Sequence, residues 1–126
     1  MKFEIDFDQS PDYVLIKGEG EASVEGFDNL MKALVTSPKW KPGIKQLADH
    51  RSLILSGLSS EEVRRLVNIV KQYSEKYGNG PCAFLVKDAL AFGLARMYAM
   101  LGGEGIHPET NVFYKFEEAI EWLKMQ

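Results

Sequence analysis

One cysteine, Cys82, stands in 126 residues, so no intramolecular disulfide can form. A domain without such staples fits a reducing compartment, and a cytoplasmic location is expected. A single cysteine also excludes a cysteine-rich zinc site. The two histidines, His50 and His107, lie too far apart in sequence for a His-x-x-x-His metal pair. Long apolar runs are missing as well. The longest candidate, Ala89 to Leu101, contains Arg96 and falls short of the roughly 20 residues a bilayer span needs. Met1-Lys2-Phe3-Glu4-Ile5-Asp6 lacks the apolar stretch of a signal peptide. Positive charge is not in excess. With a net charge of −3, nothing points to nucleic acid as a partner. Proline and glycine are too sparse for a collagen-like or disordered chain.

What is present suits one domain, residues 1–126, with 45% hydrophobic residues to fill a core. The charge is uneven. Residues 1–30 carry a net of −6 and residues 31–60 a net of +4. The basic block includes Lys39-Trp40-Lys41, either a solvated turn or a contact for an anion or acidic partner.

Residues 2–8 alternate, with Phe3, Ile5 and Phe7 on one side, which predicts a strand with one buried face. Gln9-Ser10-Pro11-Asp12 is a turn, and Tyr13 to Gly20 reads as the returning strand of an antiparallel hairpin. The period then changes to that of a helix through Phe27, Leu30, Met31, Leu34 and Val35, with Ser23 as N-cap and Pro38 as stop. Ile44 to Asp49 is read as a short strand. Ser59 and Glu62 have capping-box spacing before a helix that buries Val63, Leu66, Val67 and Val70. Cys82 to Val86 is continuously apolar, as expected of a strand covered on both faces. Asp88 caps a helix over Ala89–Leu101. Asn111 to Phe116 and Glu117 to Lys124 complete the chain as a strand and a helix. The order ββαβαβαβα predicts an α/β fold with one mixed, largely parallel sheet of about five strands.

This order resembles the SpoIIAA-like, or STAS, domain, and more specifically the small bacterial STAS-like proteins of unassigned function. The matching segments are Ser37-Pro38-Lys39-Trp40-Lys41-Pro42-Gly43, Leu47-Ala48-Asp49-His50-Arg51, Leu55-Ser56-Gly57-Leu58-Ser59, Leu90 to Tyr98, and Phe116 to Leu123. Such proteins share a likeness with lipid-binding CRAL-TRIO domains. The resemblance implies a regulatory module that acts through protein contacts. In anti-sigma-factor antagonists a serine is phosphorylated in an Asp-Ser-x-Gly-like loop between the third strand and second helix. Aligning Gly57 with that glycine places Ile54 at the aspartate and Leu55 at the serine, so the switch residue is missing from its place. Ser56 takes it only if the register slips by one.

Candidate site residues follow. Asp49-His50-Arg51, with Lys87 after the neighbouring strand, would sit at the C-terminal edge of the sheet, where an anion could be held. The plainer reading is an Asp49–Arg51 ion pair beside an exposed His50. In helix 89–101, Leu90, Leu94, Met97 and Leu101 are expected to face the core, while Phe92, Ala95, Arg96 and Ala99 lie opposite. That second face predicts a homodimer contact, the wall of an apolar ligand pocket, or cover from the last helix through Trp122. A ligand there, apolar and anionic or lipid-like, would place its head group at Arg51, Lys87 or Arg96. Cys82 with His50 or His107 satisfies the count for a nucleophile–base pair, but no spacing supports one. Gly102-Gly103-Glu104-Gly105 follows a helix, and Gly18-Glu19-Gly20 lacks its third glycine, so neither is a phosphate loop. The expectation is a non-enzymatic module with no metal or cofactor. It would act through a protein partner or second copy or, alternatively, carry or sense a small ligand.

Overall fold

Period-2 patterning at the N-terminus produces β1 (Lys2–Asp6), which pairs antiparallel with β2 (Val14–Glu21). The computed structural model describes residues 1–102 and 109–126. The turn out of β1 closes on Asp6, whose Oδ1 accepts the N–H groups of Asp8 and Gln9. Ser23 caps α1 (Val24–Thr36) by accepting the Gly26 N–H at 2.9 Å. Ser37, extended before Pro38, ends that helix. After β3 (Gln46–Ile54) the expected capping box opens α2 (Ser60–Gln72). Glu62 N–H donates to Ser59 Oγ and Ser59 N–H to Glu62 Oε1, both at 3.1 Å. A one-turn helix, α3 (Ser74–Tyr77), follows. Then come β4 (Cys82–Leu85), α4 (Ala89–Gly102), β5 (Thr110–Phe113) and α5 (Phe116–Lys124). Asp88 caps α4 through the Ala91 N–H at 2.9 Å. Chain reversal after α3 depends on Gly78, at φ 75°. Any Cβ there would stand 2.5 Å from the Gly43 nitrogen.

The strands lie in the order β1-β2-β3-β4-β5, and every pair after the first is parallel. Right-handed crossovers that always step in one direction put their helices on one face. Accordingly α1, α2 and α4 cover the face carrying Val14, Ile16, Ala48, Cys82, Phe84 and Val112. Leu15, Leu47 and Ala83 point the other way and are covered by α5 through Ala119 and Leu123. Trp122 packs there against Phe113, with ring centroids 5.9 Å apart, so α5 does not cover α4. All four residues of β4 are buried, as expected of a doubly covered strand.

Two elements differ from the sequence-based expectation. β3 runs five residues beyond Asp49, where its pairing with β4 ends. In that extension it pairs with β2 across a bulge, with Lys17 opposite Asp49 but Glu19 opposite Ser52. The extra residue lies on β3 and shifts its alternation, so His50 and Leu53 both face the helices. On α4 the core-facing stripe is Ala91, Leu94, Ala95 and Tyr98. Leu90 and Leu101, expected inside, are exposed. A one-position shift turns a helix by about 100°, and a helix apolar all round gives little to set its phase.

Trp40 is part of the core and not a surface group of the basic turn. Its ring stacks on Tyr77 at 5.6 Å, and its Nε1–H donates to the Lys76 carbonyl at 2.8 Å. Lys39 finds its acidic partner within the chain, since Nζ lies 2.8 Å from Asp8 Oδ2. Both groups are exposed, so the pair contributes little to stability. Among the described residues no helix is long and apolar enough to cross a membrane.

Candidate functional site

Beneath α1, α2 and α4 the core is not filled. A partly open cavity of about 110 Å³ lies between these helices and the sheet. Its walls are mostly aliphatic and aromatic, including Phe27, Leu30, Leu66, Phe84 and Leu94. The polar side chains that reach it are Gln46, His50, Tyr77, Cys82 and Tyr98, and no Lys, Arg, Asp or Glu lines it among the described residues.

Gln46 is in the cavity because of strand period. Leu47 goes to the α5 face, so Gln46 and Ala48 go to the helix face. Only 2% of Gln46 is exposed. Its Oε1 accepts the Tyr77 hydroxyl at 2.8 Å, and its Nε2 has no hydrogen-bond partner among the described residues. A buried donor left unsatisfied costs about 1–3 kcal/mol. Cys82 lies beside Gln46 in the β3–β4 register. Burial pushes the thiol, and the hydroxyls of Tyr77 and Tyr98, well above their usual ranges, so all three are neutral.

His50 enters the same cavity further along β3. Its ring lies between Phe27 and Phe84, at centroid distances of 5.7 and 5.5 Å. Burial pulls its pKa down to about 4, although the Asp49 carboxylate favours the charged form. It is therefore neutral at pH 7 and partly buried, not the exposed group of the plainer sequence reading. Four strand residues separate it from Gln46, roughly 13 Å at 3.3 Å per residue. Since Cys82 aligns with Gln46, a thiol–imidazole pair is out of reach. His107 lies outside the described residues, as does the Gly103–Gly105 stretch of the glycine run.

The expected Asp49-His50-Arg51 cluster is divided by the sheet. Asp49 and Arg51 turn to the opposite face from His50 and form a bidentate pair. Arg51 Nε donates to Asp49 Oδ1 at 3.0 Å and Arg51 Nη2 to Oδ2 at 2.9 Å. Burial alone would raise the Asp49 pKa. The hydrogen bonds and charge of Arg51, helped by Lys17, outweigh it and hold the carboxyl below its usual value. Such a depressed carboxylate stabilises the fold above about pH 4 and loses that contribution as pH falls further. Arg51→Met is expected to cost about 1 kcal/mol and to move the Asp49 titration upward. A carboxyl-carbon NMR titration with urea unfolding checks both.

The other candidates stand apart from the cavity. Ser56 is exposed in the β3–α2 loop, Lys87 is exposed after β4, and Arg96 is exposed on α4. Phe92 is half-buried and stacks on Tyr114, with centroids 5.3 Å apart. Arg51, Lys87 and Arg96 are not among the lining residues. A strand order that never reverses explains why the sheet edge does not gather them. Open α/β sheets form their ligand crevice where strand order switches, and this sheet has no such point. Gln46 was the residue missed. Its signal was a polar side chain in phase with Ala48 on the core side of a strand. Among the described residues no group of three or more His, Cys, Asp or Glu gathers as a metal site.

No family model matches the chain, and no curated protein does. Among solved structures, a crystal structure of an uncharacterized protein of the DUF3478 family from Shewanella loihica PV-4, described as having a SpoIIAA-like fold, superposes with a TM-score of 0.63. The two share 20% identity over 96% of this chain and 93% of that one. With its five-stranded mixed sheet and this superposition, the chain has a SpoIIAA-like fold.

Proposed function

We propose that the chain is a non-catalytic binding module of the regulatory kind, working through protein contacts, and that its contact surface is the outer face of α4. Fold alone assigns no activity, so the reading rests on that face. Leu90, Gly93, Met97, Met100 and Leu101 form one outward stripe, with Leu90 54% and Met100 77% exposed. Contiguous exposed apolar side chains of this kind mark an interaction surface. The occupant that fits is a second copy. Among the described residues nothing lies within 4 Å of where a side chain at Gly93 would begin, which leaves a notch, and Met97 one turn on supplies a knob. Two such helices crossing on a two-fold axis exchange knob and notch, the self-complementarity an isologous dimer requires.

Sedimentation velocity tests this. The wild type is expected to dimerise at high micromolar concentration and Met100→Glu to remain monomeric. Met100 is a cleaner probe than Phe92, whose replacement would also break the stack on Tyr114. A wild type that stays monomeric, or a Met100→Glu variant that still dimerises, defeats the assignment.

A further inference from the structure

We infer that the core cavity is a binding site for a small neutral molecule, compact and largely apolar, that presents one hydrogen-bond acceptor to Gln46 Nε2. Three observations converge on that chemistry. The first is the unpartnered Nε2 itself, on a side chain with only 2% exposure. Orphaned buried donors are rare enough in native proteins to call for an occupant. Because Oε1 is already engaged by the Tyr77 hydroxyl, the amide is held with its donor side free. An acceptor such as a carbonyl or ether oxygen complements it.

The second observation is the wall. About 110 Å³ is space for roughly four waters at ~30 Å³ each, and every buried water needs two to four polar partners. Gln46 and Tyr77 already bond each other, and His50 lies roughly 13 Å along the strand from Gln46, so the polar groups do not surround such a water cluster. An apolar body with one polar end uses the same space better. The third is charge. No ionised side chain lines the cavity among the described residues, and His50 and the thiol and phenols are neutral. An anionic or cationic ligand would be stripped of water with no counter-charge.

Size narrows the class. Engineered apolar cavities of about 150 Å³ take benzene, whereas sites for drug-sized ligands begin near ~300 Å³. A ligand of about five to seven heavy atoms is therefore indicated, smaller than the lipid-like molecule suggested by the resemblance. Cyclohexanone has that size and a single acceptor, and cyclohexane is its counterpart without one.

The experiment is a titration of the 15N-labelled full chain with each probe, followed through the Gln46 side-chain amide and the backbone amides. Cyclohexanone is expected to bind saturably and to shift the Gln46 amide protons. Cyclohexane is expected to bind more weakly without moving them. Gln46→Met should weaken cyclohexanone at least about fivefold, the loss of one hydrogen bond, and leave cyclohexane unchanged. Should Gln46→Met fail to fold, Ala95→Leu decides, since it narrows the cavity with Gln46 intact and should exclude both probes. No saturable binding of cyclohexanone overturns the inference. So does binding that survives Ala95→Leu, or that ignores Gln46→Met in a folded variant. Met100→Glu should bind cyclohexanone like the wild type, so the cavity and the α4 surface stand or fall separately.

Discussion

Trp40→Ala is expected to destabilise the protein by about 3–5 kcal/mol, the usual cost of removing a buried aromatic. Trp40 is 8% exposed. Its removal takes away the face-to-face contact with Tyr77, at an interplanar angle of 9°, and strands the Lys76 carbonyl that its indole N–H satisfies. The damage should spread, because Tyr77 in turn holds Gln46 through its hydroxyl. Trp40→Phe retains most of the stack and loses the hydrogen bond, so a loss of about 1 kcal/mol is expected. Urea unfolding followed by circular dichroism measures both. A loss below about 1 kcal/mol for Trp40→Ala would show that the Ser37–Lys45 segment is a solvated turn after all.

Mild acid should weaken the fold through His50. In the unfolded chain its imidazole titrates near ~6.5, and in the fold at about 4. Above the first value neither state is protonated, and His50 makes no difference to pH dependence. Between the two, the unfolded state takes up a proton that the folded state refuses, so stability falls as pH falls. At pH 4.5 the loss should reach about 2–3 kcal/mol. Among the described residues Asp49 is the charged group acting on the imidazole, and it favours protonation without outweighing burial. Asp49's own depressed pKa acts below about pH 4, so the two windows separate. The measurement is the unfolding free energy at pH 7.5 and 4.5 for wild type and His50→Phe. Surface carboxylates contribute alike to both proteins and cancel. If both lose the same stability, His50 is not the partly buried neutral group described.

The elements of this fold legible in the sequence were those with a clear period or a clear stop. Phe3, Ile5 and Phe7 marked one strand face. Ser59 with Glu62 fixed the start of α2, and Pro38 the end of α1. β3 was hidden beyond Asp49 because its bulge shifts the alternation and its residues there, His50-Arg51-Ser52, are polar. The same strand obscured the site. Adjacent residues looked like one cluster, yet a pleated backbone sends His50 and Asp49 to opposite faces. On α4, with Arg96 its one charged residue, no polar face existed to orient the helix. Gln46 could be placed from its period. That its amide would lack a partner depended on how three helices meet above it, which no local pattern records.

The unbroken strand order has a consequence for synthesis. Each strand from β2 onward joins at the edge left by the one before it. A chain emerging N-terminus first, at roughly 5–20 residues per second, therefore never has to separate strands already joined in order to admit another between them. The strand order permits the hairpin β1–β2 to form first and each later strand–helix unit to dock as it leaves the ribosome. The strands stand side by side in the order in which they are read.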